Sequence, residues 1–166
     1  MSTYPQVVLF GSISGGWRER AVIPVLERLG VTYFNPASGG DWTPEMGRRE
    51  GEAMAHAETI LMVFTNDLPS FTGLAETGWA ALGAVERGQL FILCLPSENF
   101  RANTPWYLRW SGYVQRITRL FNHYAKSSRL LVREHAAKFT HPNIHVVDSL
   151  EEAVTLLRQR YAVAQS

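Results

Sequence analysis

The 166-residue sequence predicts an α/β fold, a flavodoxin-like or Rossmann-like doubly wound parallel sheet of five strands in the order 2-1-3-4-5. Three observations predict it. The strand candidates are short continuous apolar runs, the pattern of strands buried on both faces. Stretches with helical apolar periodicity separate them. The loops after the first and third runs are the richest in glycine and hydroxyl residues in the N-terminal half. That is where the ligand crevice of such a sheet opens.

Taken in order, Gln6 to Phe10 reads as the first strand, followed by the turn Gly11-Ser12-Ile13-Ser14-Gly15-Gly16. A helix follows from about Arg18 to Leu29, with Val22, Val25, Leu26 and Leu29 on one face and Gly30 just past its end. Pro24 falls inside that stretch, so the helix is expected to start late or to kink. Val31 to Phe34 is the second strand, and Pro44 suits the first turn of a helix running to Ala57. Thr59 to Phe64 is the third strand, and a helix from about Leu74 to Arg87 ends at Gly88. Gln89 to Leu95 is the fourth. One or two helices are expected between Trp106 and Lys138, before a fifth strand, Ile144 to Val147. Ser149 and Glu152 have the spacing of a capping box, opening a last helix that reaches about Tyr161. Neither a repeat nor a linker interrupts this order, so residues 1–166 are expected to form one domain, with a helical insertion at about 101–140.

The apolar share of 46% suits a globular chain that buries a substantial core. A net charge of +1 gives no overall field directing it to nucleic acid or membrane. Cys94 is the single cysteine, which excludes an intrachain disulfide and fits a reducing compartment. It lies in an apolar run, as a buried inert thiol would. The first residues lack the basic start and apolar stretch of a signal peptide, and the apolar runs are far shorter than the ~20 residues a membrane helix needs. A soluble, cytoplasmic protein is expected. No His/Cys/Asp cluster has metal-ligand spacing, so neither a metal nor a cofactor is expected.

For this strand order the ligand crevice lies between strands one and three, at the loops Gly11–Gly16 and Thr65–Gly73. The first loop has no lysine, so it is not a Walker A motif, and it misses the GxGxxG spacing. Gly11, Gly15 and Gly16 would let backbone N–H groups approach a phosphate or sugar hydroxyl, with Arg18 and Arg20 supplying charge. The plainer reading is a strand-to-helix turn that needs glycine for its backbone angles. In the second loop Asn66, Asp67, Ser70 and Thr72 crowd one strand end. Glu76 would then lie in the first turn of the next helix, where the helix dipole favours an ionised carboxylate. Glutamate is also simply common at such positions. Trp42 offers a stacking face for a base, or packs at the sheet edge. Glu50 and Glu52 read most plainly as a solvated helix face.

The stretch from Phe10 to Gly16, together with Pro69-Ser70-Phe71-Thr72-Gly73-Leu74-Ala75-Glu76-Thr77-Gly78-Trp79-Ala80, resembles the nucleoside 2-deoxyribosyltransferase superfamily. It is nearest to the 2'-deoxynucleoside 5'-phosphate N-hydrolase branch, whose first loop has the form GSIxGG. Ser70, Glu76, Gly78 and Ala80 reproduce that branch's second motif. The resemblance implies that Glu76 attacks C1' of a (deoxy)ribose and displaces the base, leaving a glycosyl ester for water or a second base to resolve. It implies substrate contacts from Gly11, Ser12, Ile13, Gly15, Gly16, Ser70 and Gly73, and makes Glu50 the second carboxylate, eight residues before Glu58. Asp67 or Glu50 would protonate the departing base, and a general acid contributes about 10²–10⁴-fold. Asn35-Pro36 followed by Asp41-Trp42 is similar to another branch, which adds Asn35 and Trp42 to the substrate-binding set. The resemblance further implies a small-molecule nucleoside or nucleotide partner and a homodimer or larger assembly. It spans roughly Val7 to Leu95 and leaves the basic, aromatic-rich segment Arg101–Lys138 without a counterpart.

Two other functions fit the residues. One is a non-catalytic nucleotide sensor using the same pocket. The other is an interaction or nucleic-acid module using the segment from Arg101 to Lys138, where aromatic and basic residues interleave.

Overall fold

The computed structural model describes residues 4–36, 43–66, 70–96, 110–138 and 141–162. Five parallel strands run β1 (Val7–Gly11), β2 (Tyr33–Phe34), β3 (Thr59–Val63), β4 (Leu90–Cys94) and β5 (Ile144–Val147) along the chain. They lie in the order β2-β1-β3-β4-β5, an α/β doubly wound sheet. Strand order therefore reverses between β1 and β3, where Leu9 pairs with Leu61 and Gly11 with Val63.

Strand residues alternate between two cores. Val7, Leu9, Leu61, Val63, Ile92 and Cys94 face one side, with Val22, Leu26, Leu157 and Tyr161 packed on them. Those last four belong to α1 (Ile23–Arg28), the turn before it, and α5 (Leu150–Ala162). Val8, Phe10, Ile60, Met62, Phe91 and Leu93 face the other side, against Ala53, Leu74, Ala80, Ala84 and Val132. These come from α2 (Pro44–His56), α3 (Phe71–Arg87) and α4 (Gly112–Ala136). Each fully buried aliphatic or aromatic side chain contributes about 1.5–3 kcal/mol, which explains why the strands carry almost no polar residues.

Pro24 resolves as the sequence requires. Residues Arg18–Val22 wind as a wider π-helical turn in which Ile23 N–H reaches Arg18 C=O, and the regular α-helix begins only at Ile23. A proline lacks the N–H that would close the ordinary register there. Thr43 caps α2 by accepting from Met46 N–H at 3.2 Å, with Pro44 in the first turn. Ser149 Oγ accepts from Glu152 N–H at 3.2 Å, and the Glu152 carboxylate reaches back to Asp148 N–H. The last helix thus has its capping box, with the return arm one residue earlier than a regular box places it.

One helix start differs. α3 begins at Phe71 with Ser70 as its cap, a full turn before the expected Leu74. The segment 112–136 is a single helix of 25 residues. Among the described residues no helix is long and apolar enough to cross a membrane.

Candidate functional site

β1 ends at Gly11, whose φ of +106° only glycine adopts easily. A Cβ there would fall 2.0 Å from the Val63 carbonyl oxygen. The floor of the crevice is therefore bare backbone, and the chain turns off the sheet at once into Ser12. Ser12 is 2% exposed and ties the two loops together. Its N–H donates to Val63 C=O at 2.8 Å, its Oγ accepts from Thr65 N–H at 3.0 Å, and the same Oγ lies 2.7 Å from Ser70 Oγ.

The rest of the first loop is held from below. Ser12 C=O accepts from Trp17 Nε1 and from the Arg18 guanidinium, both at 2.8 Å, and Arg18 also reaches Leu9 C=O at 3.3 Å. Arg20 donates to the carbonyls of Gly15 and Gly16, whose φ values of 89° and 54° are positive. Arg18, expected to offer its charge to a ligand, is instead 2% exposed and spends its donors on backbone carbonyls. Its guanidinium also lies 4.2 Å from the Trp17 ring. Burial pulls Arg18 down to about 10, the neighbouring Glu19 acting in the opposite sense. It stays charged at neutral pH, as a buried cation close behind the loop. Ile13 projects outward, 79% exposed.

Ser70 is the one non-glycine residue with positive φ among the described residues (φ 53°, ψ 42°). Such a conformation costs of order 1–3 kcal/mol and persists where the surroundings over-determine it. Gly73 brings α3 close to β1: a Cβ on it would lie 2.9 Å from the Phe64 ring and 3.7 Å from Gly11 Cα.

Glu76 lies one helical turn beyond Gly73. Because α3 starts at Phe71, it is not in the first turn, so the expected support of its ionised form by the helix start is corrected: its surroundings disfavour ionisation. Its carboxyl is pushed above the usual carboxylate range, first by partial burial and then by the charge of Glu50 on α2. The charge of Glu50 on α2 thus reaches Glu76 on α3, which is exposed in the single chain. Asn35 follows β2, partly exposed. Asp67 and Trp42 lie outside the described residues.

The loops also hold groups the sequence did not single out. The hydroxyls of Ser14 and Thr65 are buried with no hydrogen-bond partner among the described residues. Leaving such a group unpaired costs about 1–3 kcal/mol. Arg129 of α4 is 5% exposed, donating from one nitrogen to Asn66 Oδ1 at 2.7 Å and from the other to Thr65 C=O. Burial pushes the Cys94 thiol up to about 12, which makes it unreactive. Among the described residues no cluster of three or more His, Cys, Asp or Glu is placed to hold a metal ion.

The crevice thus brings a glycine-lined backbone and the Ser12 and Ser70 hydroxyls together, with Glu76 one turn along α3. The sequence matches no protein-family model, and no curated protein is significantly similar to it.

Proposed function

We propose that the chain cleaves the N-glycosidic bond of a (deoxy)nucleoside or its 5'-monophosphate through a glycosyl ester on Glu76, in the cytoplasm and as a homo-oligomer. The Glu76 carboxylate bonds to C1' as the C1'–N bond breaks. The bond's electron pair leaves with the base, which takes a proton from Glu50 or Asp67. Water or a second base then attacks C1', the ester bond breaks, and its electron pair returns to the carboxylate. The proton of the attacking group goes to the acid that was deprotonated.

What supports this reading is the position of Glu76 one helical turn beyond Gly73, which packs close to Gly11 at the crevice floor, within electrostatic reach of Glu50 on α2. Glycosidic chemistry of this kind uses two carboxyl groups, one as nucleophile and one as acid. The resemblance of both loops to the nucleoside 2-deoxyribosyltransferase superfamily supports the same chemistry. The unpaired Ser14 and Thr65 hydroxyls favour a phosphate or sugar hydroxyl near the loop. Support for assembly comes from exposed apolar residues on α3 and α4: Trp79, Leu82, Leu120, Tyr124 and Leu131.

A panel of nucleosides and 5'-monophosphates, assayed for free base, tests the proposal. Wild type should release base, and mass spectrometry should find a sugar adduct on Glu76. Tight binding with no turnover would replace the enzyme with a sensor.

A further inference from the structure

Helix α4 belongs to the stretch that the family resemblance leaves without a counterpart, yet its Arg129 bonds to the loop that follows β3. Ala125 is fully buried, Val132 packs on the core, and between them Arg129 sinks to 5% exposure. Its guanidinium does not face solvent. One nitrogen donates to Asn66 Oδ1 at 2.7 Å and another to Thr65 C=O. The next residue along the network is decisive: Thr65 N–H donates to Ser12 Oγ at 3.0 Å, and Ser12 Oγ meets Ser70 Oγ at 2.7 Å. One continuous chain of contacts thus runs from α4 through the exit of β3 to both crevice loops, ending on the residue held in the left-handed region.

We propose that Arg129 is a positioning residue, clamping Thr65 and Asn66 so that Ser12 and Ser70 stay in the register that presents Glu76 to substrate. The clamp needs a fork. A guanidinium reaches a carbonyl and an amide oxygen at once, in a fixed plane, whereas an ammonium is a single flexible point charge. Burying that cation is costly, and desolvation does pull Arg129 below its ordinary value. Packing of α4 alone would not require a charged group there. Arg133, one turn on, provides the internal comparison: it ties the same helix to Leu95 C=O just past β4 and to Asp148 just past β5, with no bond to Thr65 or Asn66 among those described.

The catalytic half of this inference rests on the glycosidase reading; the clamp itself does not. The experiment compares Arg129→Lys, Asn66→Ala and Arg133→Lys in the full chain, by amide hydrogen exchange and by base release. Arg129→Lys and Asn66→Ala should speed exchange at Thr65. They should lower kcat about 10–100-fold at nearly constant KM, as a small misplacement of a reacting group does. Arg133→Lys should do neither. Unchanged exchange at Thr65 in both Arg129→Lys and Asn66→Ala would overturn the clamp, as would an equal loss of kcat in Arg133→Lys. Should Arg129→Lys fail to fold, Asn66→Ala carries the same comparison with the arginine in place. A wild type that releases no base, while exchange at Thr65 still rises in the variants, would sink the glycosidase reading and leave the clamp standing.

Discussion

At Glu76 two influences oppose ionisation, partial burial first and the charge of Glu50 second. The folded chain therefore binds this proton more tightly than the unfolded chain does. Stability is highest where the carboxyl is protonated in both states, and declines as pH rises from the ordinary carboxylate range through the raised value. Glu76→Gln removes that decline. It should melt at a higher temperature than wild type at neutral pH, with the two curves converging in acid, while releasing no base. Scanning calorimetry across pH, with base release alongside, checks both. Glu50→Gln acts in the other direction on the same group. With the neighbouring charge gone, Glu76 should ionise more readily, moving the acidic limb of the pH–rate profile to lower pH. Glu76 was legible as a candidate because its motif is local; its surroundings were not, because they depend on where α3 begins. Arg129 left no local mark at all. Its contact with Asn66 spans 63 positions of sequence, and the residues around it read only as a basic, aromatic-rich stretch.

At the scale of the elements, the central strands β1, β3 and β4 were legible because burial on both faces writes an unbroken apolar run, while the partly buried edge strands β2 and β5 were shorter signals. The start of α3 was not. The cap is Ser70 in a left-handed conformation, without the side-chain hydrogen bond to the helix that makes caps recognisable. Gly11 is the counterpart where local chemistry did suffice: the turn was expected to need glycine, and the Val63 carbonyl shows the reason. Gly11→Ala forces a methyl into that oxygen and also strains φ. The loss should be about 3 kcal/mol or more, measurable by chemical denaturation. Gly78→Ala, at a helical position with open space beside it, should cost nothing or stabilise slightly.

Across the whole molecule, strand order followed from the sequence because helices alternate with buried strands, and right-handed crossovers then leave few topologies. What the sequence did not disclose is how much apolar surface the helical layer leaves outside. Leu120, Phe121, Tyr124 and Ser128 line a depression of about 250 Å³ on α4, and Leu131 lies further along the same helix. If copies associate here, Tyr124→Glu and Leu131→Glu should shift the protein to a smaller species in size-exclusion chromatography with light scattering. Thermal melting should change little, since neither side chain belongs to either core.

The placement of the tryptophans gives the protein its own optical reporters. Trp17 is buried at 3% exposure and will emit at short wavelength under all native conditions, whereas Trp79 and Trp110, at 82% and 90%, will emit as indoles in water. Association of the helical layers would dehydrate Trp79 and shift the emission to the blue as concentration rises.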